Sequence, residues 1–192
     1  NGARALVVGA GLAFALAMGA APTPAMAAGR VGTTKVMVRT EIDNVNFKVP
    51  TVIPFVAKAD GTLQGPSEDA TTIDNLSAYG IHVTNMKIDA MNTWTIAADA
   101  KTGTAQNSID FKVGPDGALQ DASAAMKGTG IDLSKNATFD MGYQGIAGGS
   151  DKIKLKTSGN VARVTRDIFH ITGEGDQVAT ITWTVEPGAH TA

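Results

Sequence analysis

Apolar and polar residues alternate with a period of two along most of this chain, and a helical period is nearly absent. Val36, Val38, Thr40 and Ile42 face one way, with Lys35, Met37, Arg39 and Glu41 opposite. Val45, Phe47 and Val49 begin a second strand, which Pro50 and Pro54 interrupt and Ile53–Phe55 resumes. Each proline removes a ladder donor, so this stretch is expected at a sheet edge or a bulge. Further strands are predicted at Thr71–Leu76, Ile81–Asn85, Met86–Ile88, Trp94–Ala98 and Ser108–Val113, with turns at Asp60-Gly61, Gly65-Pro66 and Asp116-Gly117. Residues 118–128 alone suit a short helix, which Gly128 and Gly130 would end. Strands return at Thr138–Tyr143, Lys152–Thr157, Val161–Val164, Asp167–Thr172 and Val178–Val185. In the last, Ala179, Ile181, Trp183 and Val185 form an apolar face and Thr180, Thr182 and Thr184 a polar one. The expected fold class is all-β: a β-sandwich or jelly roll of about eight to eleven short antiparallel strands.

The N-terminus breaks the alternation. Asn1–Arg4 is short and basic, Ala5–Ala21 is uncharged and apolar, and Pro22-Thr23-Pro24 ends the run. Ala25-Met26-Ala27 then offers small residues where signal peptidase reads them. This order predicts a secretory signal-peptide helix over residues 1–27, cleaved before Ala28. A transmembrane anchor fits less well, because a span wants about 20 strongly apolar residues and this run is mostly Ala and Gly. The expected layout is a signal peptide (1–27), a lead-in (28–34), one β-sandwich domain (35–188) and a tail (189–192). The expected location is secreted, extracellular, at the cell surface. Asn1 stands in place of an initiator Met, so residues before it are expected to be missing. No hydrophobic tail or sortase-type motif follows Gly188, which predicts neither a covalent nor a membrane anchor after signal cleavage.

Composition narrows the partners. The formal net charge is −2, and losing Arg4 with the signal peptide makes it one unit more negative. A nucleic-acid partner wants a concentrated basic face, and charges here are scattered except in Lys152-Ile153-Lys154-Leu155-Lys156. Those three lysines recur at period two, as on one solvated face of a strand or a charged edge. No nucleic acid is expected. The absence of cysteine rules out thiolate metal sites and a lipid-modified Cys, and export without disulfides suits a bacterial surface. The sequons Asn75-Leu76-Ser77 and Asn136-Ala137-Thr138 are then accidental.

Catalytic chemistry finds no motif. His82 and His170 lie inside alternating strands and His190 in the tail, and none pairs at metalloprotease spacing. Asp132, Asn136 and Asp140 recur every fourth residue, and Glu68-Asp69 with Asp74 form a second acidic group. Neither matches a calcium-loop template, and turn formation explains both. Gly145–Ser150 is glycine-rich, with no helix after it to complete an anion site, and reads as a flexible loop. No catalytic residue, metal site or cofactor is expected.

The strand Ala179–Val185, followed by Glu186-Pro187, resembles the terminal motif of WxL domains, the surface modules of Gram-positive bacteria. Those domains carry a second, earlier Trp-x-Leu, and Trp94-Thr95-Ile96 stands where it belongs; Ile96 and Val185 replace the family's Leu. The resemblance implies non-covalent attachment to peptidoglycan or cell-wall polysaccharide, with Trp94, Ile96, Trp183 and Val185 as its binding candidates. Trp183 also sits on an apolar strand face, where a Trp fills core volume. The N-terminal half, with Val49–Phe55, Ile73–Ser77 and Ile81–Asn85, is similar to secreted proteins of the camelysin and biofilm-fibre type. That similarity implies jelly-roll subunits able to exchange an N-terminal strand, for which Val36, Val38, Thr40 and Ile42 are the candidates. The leading expectation is a non-catalytic surface protein held to the wall, partnered by wall polymer and by other surface proteins or itself. The alternative is a self-assembling fibre or surface-layer subunit. The third is a metal-dependent hydrolase using His82 and His170.

Overall fold

The computed structural model describes residues 35–40, 44–168 and 175–189. The signal peptide, the lead-in, Ile42, His170 and His190 lie outside the described residues. The chain divides into two compact units between Val38 and Arg39.

Thirteen strands and one short helix succeed one another along the described chain: β1 (Phe47–Lys48), β2 (Val56–Ala57), β3 (Leu63–Gln64), β4 (Thr72–Asn75), β5 (Ile81–Ala90), β6 (Thr95–Ile96), β7 (Ser108–Gly114), β8 (Gln120–Asp121), α1 (Ala122–Ala125), β9 (Ile131–Asp132), β10 (Asp140–Met141), β11 (Lys152–Lys154), β12 (Lys156–Ala162) and β13 (Ala179–Pro187). They form sheets of order β1-β4-β11, β10-β5-β13 with β9 also on β5, and β12-β7-β6 with β8 also on β7, plus the hairpin β2-β3. The all-β sandwich is what the alternation predicts. One pairing departs from it: β6 runs parallel to β7.

The pattern continues into the packing. Ile81, Val83, Met86 and Ile88 of β5 and Ile109, Phe111 and Val113 of β7 are buried in one core. In β5 the inward positions change parity between Val83 and Met86, and the cause is a bulge. Val185 pairs with Val83 and Thr184 with Asn85, leaving Thr84 as the extra residue. One inserted residue flips every later side chain to the other face. The two strands predicted at Ile81–Asn85 and Met86–Ile88 are therefore one ten-residue strand.

The single strand predicted at Lys152–Thr157 is two. β11 pairs with β4 and β12 with β7, and the chain changes sheet at Leu155, whose N–H donates to Thr71 O at 2.8 Å. Leu155 is fully buried, so period two survives the change of sheet. Pro50 and Pro54 follow β1, the outer strand of its sheet, as the proline rule requires. The expected helix forms over Ala122–Ala125, capped by the Asp121 carboxylate on the N–H groups of Ser123 and Ala124. Ala122 and Ala125 turn inward and are fully buried. The alternation predicts a first strand over Lys35–Asp43; residues 35–40 make no ladder pairing, and residues 41–43 lie outside the described residues.

Candidate functional site

The two Trp motifs take different places. After Ala90 the chain leaves β5 and crosses to β6 through Met91–Trp94. Trp94 N donates to Met91 O at 3.0 Å, while Asn92 and Thr93 have φ of 51° and 62°. Two successive positive φ values mark a type I′ turn. Asn tolerates that backbone, whereas a β-branched Thr is strained in it.

Trp94 is 6% exposed, and its Nε1 donates to Asp176 Oδ2 at 2.8 Å. The same oxygen accepts from Arg166 Nε, and Asp176 Oδ1 accepts from Arg166 Nη2 at 3.2 Å. The hydrogen bond and charge of Asp176 hold the Arg166 guanidinium above its ordinary pKa. Arg166 Nη1 donates to Thr93 Oγ1 at 3.3 Å, closing a ring back to the turn. Asn107, also at positive φ, accepts from the backbone N–H groups of Thr165 and Arg166 on its Oδ1. Trp94 is thus bracketed by polar groups from three separate segments. Nothing in the local sequence signals this, because Asp176 lies 82 residues away.

Trp183 lies half-buried on β13 against the core, and Ile96 and Val185 are buried in it. Of the four binding candidates, Trp94, Ile96 and Val185 are buried, whereas Trp183 keeps part of its ring exposed. The aromatic most open to solvent among the described residues is Tyr143, at 50%.

The N-terminal candidates are placed oppositely. Val36 and Val38 are 86% and 94% exposed, with Met37 at 73% between them. Thr40 donates from Oγ1 to Tyr79 Oη at 3.1 Å, and Tyr79 donates on to Asn44 O at 2.8 Å. Thr40, within the unit that begins at Arg39, is thereby tied to Tyr79.

His82 is 2% exposed. Its Nδ1 meets Asp140 Oδ1 at 2.6 Å and its Nε2 meets Leu133 O at 2.9 Å. The carbonyl can only accept, so Nε2 donates to it. Both ring nitrogens are engaged by protein partners. Asp132 binds Ser134 N, and the hydroxyl and N–H of Ser134 hold its carboxyl below the usual range. Asn136 caps a 3₁₀ turn through Thr138 N. The four-residue spacing thus yields three separate local roles, and no cluster able to hold a metal occurs among the described residues.

The lysine triplet meets the second acidic group almost one to one. Lys152 pairs with Asp74 at 3.5 Å, Lys154 with Asp69 at 2.6 Å and Lys156 with Asp116 at 2.8 Å. Asp69 raises the Lys154 pKa, and the Lys156 ammonium holds Asp116 below its usual range. Asn75, the first sequon residue, is 1% exposed, and its Nδ2 donates to Tyr79 O and Gly142 O. A buried, doubly bonded amide is no glycan acceptor in the folded chain. The Gly145–Ser150 loop is stitched through Gly142 N to Ser150 O and Gly145 N to the buried Asp151 carboxylate, each at 2.8 Å.

No known protein family, curated protein or solved structure matches the chain.

Proposed function

We propose that this chain is an exported, non-catalytic cell-surface protein that associates with further copies of itself by strand addition. The observation that carries the reading is segment 35–40, whose Val36 and Val38 are 86% and 94% exposed and which makes no ladder pairing. Apolar side chains left in water at period two match the groove-filling face of a donated strand. An acceptor edge is also present. β13 is the outer strand beside β5, nine residues long, and no described strand pairs with its other side. A long open edge offers unpaired N–H and C=O groups to a second chain. Attachment to wall polymer is the other reading, with Trp183 as the Trp-motif candidate that keeps an exposed surface.

The test is electron microscopy and sedimentation of the mature protein, concentrated without detergent, beside a Val36→Asp/Val38→Asp variant. Filaments or oligomers in the wild type and monomer in the folded variant are expected. Monodisperse wild-type particles, or a variant that still assembles, would overturn the proposal.

A further inference from the structure

A second surface is built differently, from fixed turns that carry cations. Lys58, Asp60, Gly61, Lys101, Arg163 and Ile168 line a shallow groove of about 490 Å³ on the outer side of β12. Its floor is rigid. The turn between β2 and β3 closes through Lys58 N to Thr62 O and Gly61 N to Lys58 O, both 2.9 Å. Gly61 O then accepts from Val161 N at 2.8 Å, docking the turn on β12. Gly61 has φ of 83°, and a Cβ there would meet Val161 O at 2.3 Å, so the approach requires glycine.

Each cation projects from a constrained backbone. Lys101 N is held by the Asp99 carboxylate at 2.8 Å, and the Lys101 side chain reaches over Gly61, its Cε 3.8 Å from where a Cβ would be. Arg163 has φ of 52°, and its guanidinium donates to Ala105 O at 2.8 Å and to Ala100 O. One acid faces them. Asp60 is held below its usual pKa by the backbone N–H and then the hydroxyl of Thr62, with smaller contributions from Lys101 and Lys58. Three cations against one lining carboxylate, with the nearby Asp99 carboxylate held by the N–H groups of Lys101 and Thr102, leave this groove positive on a chain whose formal net charge is −2. Among the described residues, neither lysine forms an ion pair of the kind that neutralises Lys152, Lys154 and Lys156.

We infer that this groove binds a phosphodiester-linked polymer, one phosphate set between Lys58 and Lys101 and the next toward Arg163. Lysines act on phosphate as point charges, and an open groove suits a chain passing through rather than a small molecule enclosed on all sides. The site is independent of strand addition, since none of its residues belongs to segment 35–40 or to β13.

Binding of synthetic poly(glycerol phosphate) to the mature protein, followed by calorimetry across a salt series, tests it. Inorganic phosphate, polygalacturonate and a single-stranded oligonucleotide are the comparison ligands, and Val36→Asp/Val38→Asp supplies a monomeric background. Affinity for poly(glycerol phosphate) should exceed that for the other three and fall with salt. Lys58→Ala/Lys101→Ala should reduce the slope of log K on log salt by about 0.7, for the one single-strand phosphate that is no longer neutralised. Lys154→Ala, on another surface, should leave binding unchanged. No binding, an unchanged isotherm in the double variant, equal affinity for free phosphate or polygalacturonate, or tighter binding of the oligonucleotide would each overturn the assignment. Both lysines are exposed, and a circular dichroism spectrum of the double variant matching wild type confirms that any loss is local.

Discussion

Trp94-Thr95-Ile96 and Trp183-Thr184-Val185 are near-copies in sequence, yet the molecule secures them by opposite means. Trp183 sits in a nine-residue antiparallel strand whose register against β5 places its ring on the core side. Trp94 precedes a strand of two residues, paired parallel to β7, and that short ladder cannot fix a large ring. Its indole is held instead by Asp176, itself braced by Arg166, and its backbone by a type I′ turn carrying a strained Thr93. One Trp is positioned by backbone periodicity and the other by side chains distant in sequence. A shared triplet therefore says where a Trp can sit, not what holds it there.

Alanine substitution should separate the two most widely. Trp94→Ala empties an almost fully enclosed site and leaves the Asp176 carboxylate short of a donor, a loss of about 3–5 kcal/mol. Trp183→Ala removes a half-buried ring and should cost about 2 kcal/mol, by area alone. Urea unfolding of both variants checks the order, and equal losses would refute the contrast.

Phenylalanine sharpens it, because ring volume largely stays while the N–H goes. Trp94→Phe should cost about 1 kcal/mol more than Trp183→Phe, the net worth of one hydrogen bond to a group that keeps another partner. The same unfolding curves measure it. If the two Phe variants are equally stable, the Asp176 bond contributes nothing.

The smallest effect has the opposite sign. Thr93→Gly relieves a left-handed backbone that costs an L residue about 1–2 kcal/mol, offset in part by the greater freedom of unfolded glycine. A net gain of about 0.5–1 kcal/mol is expected, read as a raised thermal midpoint. A loss would show that the Arg166 hydrogen bond to Thr93 outweighs the strain. The Trp183 strand has no positive-φ residue to relieve in this way.

The alternating pattern was a reliable guide wherever inward and outward positions kept phase, as in β7 and β13. It misread β5 as two strands because a bulge at Thr84 shifts the phase without ending the strand. It missed Ser158–Asn160 within β12, since Gly159 interrupts the apolar signal while still pairing with Phe111. It also overextended at Lys35–Thr40, where the right alternation exists but the described chain makes no ladder. Alternation reports that a segment could lie on a pleated, half-buried surface; it does not supply the neighbouring strand.

The candidate sites divide along the same line. The Trp motifs, the exposed valines, His82 and the lysine triplet were all visible as residues; His82, expected to be half-exposed on its strand, is instead buried between Ile81 and Val83. The tertiary structure alone decided their company: His82 against Asp140, each triplet lysine against its own carboxylate, Trp94 against Asp176, and Lys58, Lys101 and Arg163 around one groove. Periodicity is a property of neighbouring residues along the backbone, so the sequence carries it openly. Which distant charges meet depends on how the sheets pair and where the chain changes sheet, and no short window of residues contains that information.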